Sequence, residues 1–152
     1  MVLDELVRSL NDLYRLSGSA RVHADTVRRT GVAVTQTGLR VLSLVRDVPR
    51  ISTGDLAASL DVSQPTASRV LQQLEKQGFV SRHASEQDGR VSHYVLTARG
   101  RAALAKVHKH HVDRLAFALA GTDLIYQQAI TKAVSELVGR LHGTAQQSTR
   151  SA

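Results

Sequence analysis

Residues 52–80 read STGDLAASLDVSQPTASRVLQQLEKQGFV, and this stretch decides the fold. Ser52, with Asp55 three residues later, has the pattern of a capping box and predicts the start of a short helix. Three apolar residues at helical spacing form the stripe that this helix would bury: Leu56, Ala57 and Leu60. The dipeptide Asp61-Val62 predicts a tight turn directly after the helix.

A longer helix follows this turn. Ser63 is its predicted N-cap, Pro65 is compatible with its first turn, and Gly78 marks its end. Its inward positions recur at intervals of three and four residues: Ala67, Val70, Leu71 and Leu74. Two short helices joined by a turn of three or four residues, the second of them capped, predict a helix-turn-helix.

The outward face of this longer helix carries no acidic residue before Glu75. It consists of polar and basic side chains: Gln64, Thr66, Ser68, Arg69, Gln72, Gln73 and Lys76. Gln pairs with adenine and Arg with guanine through two hydrogen bonds, while Ser and Thr hydroxyls contact phosphates or base edges. The free amides of the first turn can also bind phosphate. An ordinary solvated helix face mixes both signs of charge, so we interpret this helix as one that recognises a DNA major groove.

Two short apolar runs follow, Phe79 to Ser81 and Val91 to Leu96, separated by the polar stretch 85–90. A turn signal between two such runs predicts a β-hairpin. Taken alone, this pattern would indicate only a tight turn between two strands. Its place directly after a helix-turn-helix makes it a candidate wing.

The charged residues of the hairpin support that interpretation. The loop carries Arg90 and is flanked by the basic residues Arg82 and His83, a pattern suited to a narrow, electronegative minor groove. Asp88 can pair with Arg90 or with another basic residue and fix the shape of the loop.

Helical patterns lie on both sides of this core. Before it, we expect a first helix over 3–31 that continues past Gly18, a connector at 32–34, and a helix that begins after Thr35 and that Pro49 stops.

After the hairpin, Thr97 is the predicted cap of a helix that runs to about Leu119. A last helix is expected over 123–142, beyond a break at Gly121. The remaining residues, 144–152, are small and polar and are predicted to be disordered.

This order of elements resembles that of the MarR family of transcriptional regulators. The resemblance rests on 52–80 and on the segment DGRVSHYVLTARG at 88–100. Four residues of the second segment fall at the spacings of the family's wing motif: Asp88, Arg90, Leu96 and Thr97. In element order the resemblance covers about 3–142. It implies a mainly α fold with a small β-hairpin wing (α+β), a winged helix-turn-helix on a helical dimerisation base.

The resemblance also implies a domain organisation and a partner. A helical dimerisation region would comprise 1–31 and 98–143, a winged DNA-binding domain 32–97, and a disordered tail 144–152. The partner would be double-stranded DNA with a pseudo-palindromic operator. The expected DNA-binding residues are Ser63, Gln64, Pro65, Thr66, Ser68, Arg69, Gln72, Arg82, Asp88 and Arg90.

The outer helices independently predict a homodimer. Their apolar residues exceed what one small winged core can cover, and packing against a second copy would bury them. The residues concerned are Leu104, Val107, Leu115, Leu119, Ile125, Ile130, Val134, Leu137 and Leu141. A closed monomeric helical subdomain is the alternative. The family resemblance further implies a small-molecule effector, held between the winged domain and the helical base, that releases the protein from DNA.

The composition of the chain limits its possible partners, its cysteine chemistry and its location. Lys and Arg number 20 against 13 Asp and Glu, a net charge of +7 that favours a polyanionic partner. There is no cysteine, which excludes disulfides, cysteine–zinc sites and thiol-based redox sensing. Asp4 and Glu5 interrupt the apolar start, so we expect no signal peptide, and no apolar run approaches a membrane span. A reducing cytoplasm is the expected location.

His108, His110 and His111 form a conspicuous cluster, and His108 and His111 share a helix face. That spacing can bind a metal, but the neighbouring Lys and Arg oppose a cation, so we expect no metal or other cofactor and interpret the cluster as a solvated, pH-sensitive face. No catalytic motif is present, so no enzyme is expected. Two function classes remain: an operator-specific regulator, with repression expected, and an architectural DNA-binding protein without a defined operator or effector.

Overall fold

Helices make up most of the chain, and a small antiparallel sheet completes it, as predicted. The computed structural model describes residues 1–84 and 92–150, with side chains as far as Gly143. The elements in this part are α1 (Val2–Ser17), α2 (Ala20–Thr30), α3 (Gln36–Asp47), β1 (Ile51–Ser52), α4 (Thr53–Leu60), α5 (Gln64–Lys76), β2 (Val80–Ala84), β3 (Ser92–Leu96), α6 (Ala98–Ala118) and α7 (Leu124–Arg150). The chain divides into two units, Met1–His111 and Val112–Ala152.

Side-chain caps start the three helices of the winged core where the sequence predicts them. Thr35 Oγ1 accepts a hydrogen bond from the Gly38 amide at 3.0 Å. Ser52 Oγ accepts from the Asp55 amide at 3.1 Å and donates to Asp55 Oδ2 at 2.6 Å. Ser63 Oγ accepts from the Thr66 amide at 3.4 Å. Each cap satisfies a backbone N–H that has no partner inside its helix.

The first predicted helix is in fact two helices, and the expectation that it continues past Gly18 was wrong. The Gly18 amide donates to Tyr14 O at 2.9 Å and ends α1. Ser19 then takes an extended conformation, with φ −72° and ψ 140°, and its hydroxyl accepts from the Val22 amide. A serine N-cap offers the backbone this alternative to continuing the helix, so the chain restarts as α2.

The sheet has the strand order β1-β3-β2, with both pairs antiparallel. Ile51 lies opposite Tyr94, and Val80 lies opposite Leu96. The hairpin is therefore confirmed in its strands, although its first strand extends to Ala84. Strand β1 was not predicted, because a strand of two residues has no periodicity to detect.

The core of the first unit lies between α3, α4, α5, the sheet and the first turns of α6. Its largest fully buried side chains are Leu42, Ile51, Leu56, Leu71, Leu74, Val41 and Val80. The predicted stripes of both helices of the helix-turn-helix are thus confirmed, with Leu60 and Val70 partly buried against the same core. This packing fixes which face of α5 remains in solvent.

Thr97 joins the hairpin to α6. Its hydroxyl donates to Gly78 O at 2.6 Å and accepts from the Gly100 amide at 3.0 Å. Its own amide donates to Phe79 O at 3.1 Å. One residue therefore satisfies backbone groups at the end of α5, at the start of β2 and in the first turn of α6.

We expect Thr97→Ala to lower the free energy of unfolding by about 1–2 kcal/mol, because the cap and a partner of the Gly78 carbonyl are lost together. Thr97→Ser keeps the hydroxyl and should retain most of the stability. Chemical denaturation followed by circular dichroism measures both. Equal losses in the two variants would show that the methyl group, and not the hydroxyl, matters.

The second unit contains α7. Asp123 Oδ1 accepts from the Tyr126 amide at 2.7 Å, which caps this helix close to its predicted start, and Gly121 has a positive φ of 87°. The helix runs to Arg150, beyond the expected end at His142, so the tail boundary drawn at residue 144 does not match its backbone. Glycine weakens a helix without necessarily ending it, which explains why Gly143 lies inside α7. Of the helices described, none is both long enough and apolar enough to span a membrane.

Candidate nucleic-acid interface

Helix α5 presents one polar face to solvent. Ala67, Leu71 and Leu74 are buried, while the exposed side chains are those of Gln64, Pro65, Thr66, Arg69, Gln72, Gln73, Glu75 and Lys76. Ser68 is half-buried and accepts from Gln72 Nε2 at 3.4 Å. Seven of the ten predicted site residues, Ser63 through Gln72, therefore lie together on one accessible surface, which we call the α5 face.

Arg69 is the only cation on the first two turns of the α5 face. Within the part of the chain that the structure describes, it has no hydrogen-bond or ion-pair partner. A guanidinium presents donors in a planar fork that matches phosphate or the edge of guanine. With no carboxylate on the helix before Glu75, Arg69 is available to an external anion.

The first turn of α5 has fewer free backbone amides than the sequence implies. Ser63 Oγ and Thr66 Oγ1 lie 2.9 Å apart, and the Thr66 amide is bonded to Ser63. Pro65 has no N–H to offer. Few free amides are accordingly available to phosphate at this terminus, and side chains supply most of its exposed polar groups.

The side chain of Gln64 lies close to Gly54 on α4, which the sequence pattern did not predict. A Cβ atom added to Gly54 would lie 3.2 Å from Gln64 Nε2, so the side-chain amide of Gln64 lies over the first turn of α4. The absence of a side chain at residue 54 makes room for this approach. The Gln64 side chain thus lies beside the first turn of α4 as well as on the outer surface of α5.

Arg82 lies on β2, next to the hairpin loop. Its Nε donates to Ser92 Oγ on β3 at 2.8 Å, which ties the guanidinium to the base of the hairpin. Because α5 packs against β2, Arg82 belongs to the same unit as the α5 face. Asp88 and Arg90, the two remaining predicted residues, lie outside the described residues.

A cavity of about 550 Å³ in the first unit brings together residues that the sequence analysis did not connect. Side chains of α2, α3, the end of α4 and α6 line it. Its basic and titratable lining residues are His23, Arg40, Arg46, His108 and His111. The hydrophobic pattern of α3 predicts Arg40 and Arg46 only as solvated residues, so no sequence signal was available to find this cavity.

The expectation that the histidine cluster forms a solvated face was wrong for His110. That side chain is only 9% exposed, and its Nε2 lies 3.6 Å from Asp25 Oδ2 on α2. Hydrogen bonding from Arg28, reinforced by Arg29, lowers the pKa of Asp25 below its usual value against the opposing effect of burial. Among the described residues, no three His, Cys, Asp or Glu side chains are placed to hold a metal ion.

Comparisons of sequence agree with this architecture. Residues 34–92 match the MarR family profile. The uncharacterized HTH-type transcriptional regulator YdgJ of Bacillus subtilis is 32% identical over 98 residues, which cover 64% of this chain and 58% of YdgJ. A second such regulator, from Bacillus cereus, is 30% identical over 102 residues, 67% of this chain and 65% of its own length. The chain thus matches less than two thirds of the length of these relatives.

Solved structures extend the likeness to most of the fold. FabT of Streptococcus pneumoniae, crystallised in complex with DNA, superimposes with a TM-score of 0.69 at 20% identity, over 92% of this chain and 97% of FabT. A MarR transcriptional regulator from Methanosarcina mazei Go1 gives a TM-score of 0.71 at 18% identity, over 90% and 96% of the two chains. The resemblance drawn from the sequence is confirmed in this form: residues 34–92 match the MarR family profile, and the described part of the chain has the winged helix fold of these solved structures.

Proposed function

We propose that the protein binds double-stranded DNA as a sequence-specific regulator of transcription. One observation carries the proposal: the α5 face is exposed, free of carboxylates before Glu75, and contains Arg69 without a partner among the described residues. The net charge of +7 adds a general attraction to phosphate. The HTH-type regulators among its relatives support the same function class and give no support to catalysis, so an enzymatic role is not part of the proposal.

In this mechanism α5 enters the major groove and reads base edges. Gln64, Thr66 and Arg69 lie on its first turns, where a recognition helix makes its base contacts. Gln72, one turn further along, extends the contact surface. Arg82 is anchored at the base of the hairpin, so its charge can face the DNA backbone beside the groove. Asp88 and Arg90 remain the predicted wing residues, with Arg90 in the adjacent minor groove.

A footprint across the promoter region of the protein's own gene tests this proposal. A regulator of this type should protect a bounded, pseudo-palindromic site whose half-sites lie about one helical turn apart. Protection spread over the whole fragment would instead support the architectural alternative, which needs no operator.

The proposed functional form is a homodimer. No residue of α1 is buried, although most of one face of this helix is apolar: Val2, Leu3, Leu6, Val7, Leu10, Leu13 and Tyr14. Further apolar side chains are exposed on α7 and the last turns of α6, among them Leu115, Phe117, Ile125, Val134 and Leu141. Leu104 and Val107, which the sequence analysis assigned to the dimer, are buried in the core of their own unit. We propose that helices of the predicted base, 1–31 and 98–143, pair with those of a second copy.

Sedimentation at micromolar concentration should therefore show a dimer. Leu6→Glu, which places a carboxylate in the middle of the apolar α1 face, should shift the protein toward monomer by more than about tenfold in dissociation constant. Arg8→Glu changes the charge of the same helix and serves as the control. A monomeric wild type that still binds DNA tightly would contradict the dimer.

Repression, relieved by a small ligand, is the remaining part of the proposal. The cavity beside α4 is large enough for a small molecule, since ligand cavities measure about 300–1,000 Å³. It includes Ser59 and Leu60 at the end of α4, so a ligand there would contact the helix that precedes α5. A cytoplasmic location, where such a protein would meet DNA, belongs to the same proposal.

A further inference from the structure

The helix-turn-helix has a small notch on its surface, at the first turn of α4. Gly54 lies there as the second residue of the helix and has no side chain. A Cβ atom at this position would lie 3.2 Å from Gln64 Nε2 and 3.7 Å from Ser52 Oγ. Gln64, the first residue of α5, therefore extends its side chain toward α4, and its carboxamide lies beside Gly54. We call this place the Gly54 notch.

The carboxamide in the Gly54 notch has its own hydrogen-bonding groups free for a ligand. Among the described residues, the side chain of Gln64 has no hydrogen-bond partner, and it is exposed. Ser52, which also borders the notch, is already engaged, because its hydroxyl accepts from the Asp55 amide and donates to the Asp55 carboxylate. The approach to Gly54 thus restricts where the carboxamide lies without using its donor or its acceptor.

Two other glutamines on the outer side of α5 have different surroundings. Gln72 Nε2 donates to Ser68 Oγ at 3.4 Å, one turn earlier on the same helix. The side chain of Gln73 is exposed and has no hydrogen-bond partner in the part of the chain that the structure describes. Gln73 is therefore an internal reference for Gln64: the same side chain, on the same helix, away from the notch.

A side chain that is restricted before binding loses less conformational freedom when it binds. Immobilising a long, flexible side chain at an interface is unfavourable, and this cost falls when the free protein already limits its positions. Gln donates to adenine N7 and accepts from adenine N6, so it makes two hydrogen bonds to one base edge. A restricted carboxamide with both of its groups free is suited to this contact.

We propose that Gly54 is a positioning residue for base recognition. It leaves room for the Gln64 carboxamide beside α4, and Gln64 reads an adenine in each half-site of the operator. The first step concerns the free protein and depends on no function. The second step, the reading of adenine, rests on the function proposed above.

NMR relaxation of the side-chain amides in the free, full-length chain tests the first step. In the wild type, the amide of Gln64 should move less than that of Gln73 on the picosecond to nanosecond timescale. Gly54→Ala should raise the mobility of Gln64 to that of Gln73, because the new methyl group occupies the notch. Equal mobility of the two amides in the wild type would overturn the proposal.

The variant should fold normally. The atom that its methyl group would displace is the end of a flexible side chain, and alanine favours a helix more than glycine does. Gly139→Ala is the matched control, because nothing lies within 4 Å of a Cβ at that position, and it should leave the mobility of Gln64 unchanged.

A double-mutant cycle on operator DNA tests the second step. Gly54→Ala should weaken binding about threefold to tenfold in the wild-type background, because the freed side chain must be ordered on binding. In the Gln64→Ala background the same change should cost less than about twofold, since no carboxamide remains to be positioned. Equal effects in both backgrounds would overturn the proposal.

Substitution of each operator position in turn identifies the base. Gln64→Ala should abolish discrimination at one A·T pair, at symmetric positions of the two half-sites. Loss of discrimination only at a G·C pair, or at no position, would overturn the reading of adenine.

The further inference and the proposed function fail in different ways. A wild type that does not prefer the operator over a scrambled duplex would contradict the function and the reading of adenine together, while the NMR comparison would still decide whether Gly54 positions Gln64. Intact operator recognition without coupling between residues 54 and 64 would overturn the inference and leave the proposed function standing.

Discussion

Replacement of Gly100 by alanine is expected to cost more than about 3 kcal/mol of the free energy of unfolding, a large part of what a domain of this size has. A Cβ at residue 100 would lie 2.1 Å from the carbonyl oxygen of Phe79 and 3.1 Å from its carbonyl carbon. That carbonyl cannot easily retreat, because it accepts a hydrogen bond from the Thr97 amide at 3.1 Å. Both contact atoms belong to backbone, so α6 and β2 would have to separate.

Denaturation followed by circular dichroism measures this cost. Gly139→Ala is the matched control, because nothing lies within 4 Å of a Cβ at that position of α7. The control should gain up to about 1 kcal/mol from the higher helix propensity of alanine. A Gly100→Ala protein that unfolds at the midpoint of the wild type would contradict the close approach of α6 to β2.

Arg69→Ala is expected to weaken binding to the operator by about 1–3 kcal/mol, roughly 5- to 150-fold. Removal of the side chain from the α5 face eliminates a bidentate contact with a base edge. On a duplex of random sequence that contact has no defined partner, so the loss should be clearly smaller. The difference between the two losses is the energetic signature of sequence reading.

The control for this variant is Arg21→Ala, which removes the same charge from an exposed position on α2, away from the α5 face. Arg21→Ala should change the affinity for either duplex only slightly, through the loss of one positive charge that attracts phosphate. Fluorescence anisotropy at fixed salt compares all three proteins. Equal losses on operator and random DNA would mean that Arg69 contacts phosphate only.

The winged core could be predicted closely because its signals are local. Thr35, Ser52 and Ser63 are good N-caps, and each is followed by an apolar stripe of helical period. The cap decides where a helix begins, and the stripe decides which face is buried, so the exposed face of α5 follows from the sequence. The strands of the hairpin follow from the polar stretch at 85–90.

Other features depend on contacts that no local pattern records. The break at Gly18 arises because Ser19 caps α2, whereas the apolar residues on both sides favoured one long helix. Strand β1 exists only because β3 offers a partner to Ile51 and Ser52. Burial of His110 depends on α2 packing close enough to bring Asp25 within 3.6 Å, which requires the tertiary fold.

The cavity lined by α2, α3, α4 and α6 was inaccessible to sequence reasoning for the same reason. Arg40 and His108 lie on different helices, and each alone is an ordinary polar residue of an amphipathic pattern. Only the packing of α3 and α6 in the tertiary fold brings them to one cavity.

A sequence-specific regulator must distinguish one DNA sequence from others. The affinity of the wild type should be measured at physiological salt for the operator found by footprinting and for a scrambled duplex of equal length and composition. We predict that the operator binds about a thousandfold or more tightly, as for other specific regulators. Equal affinity for the two duplexes would contradict the account and would identify an architectural DNA-binding protein.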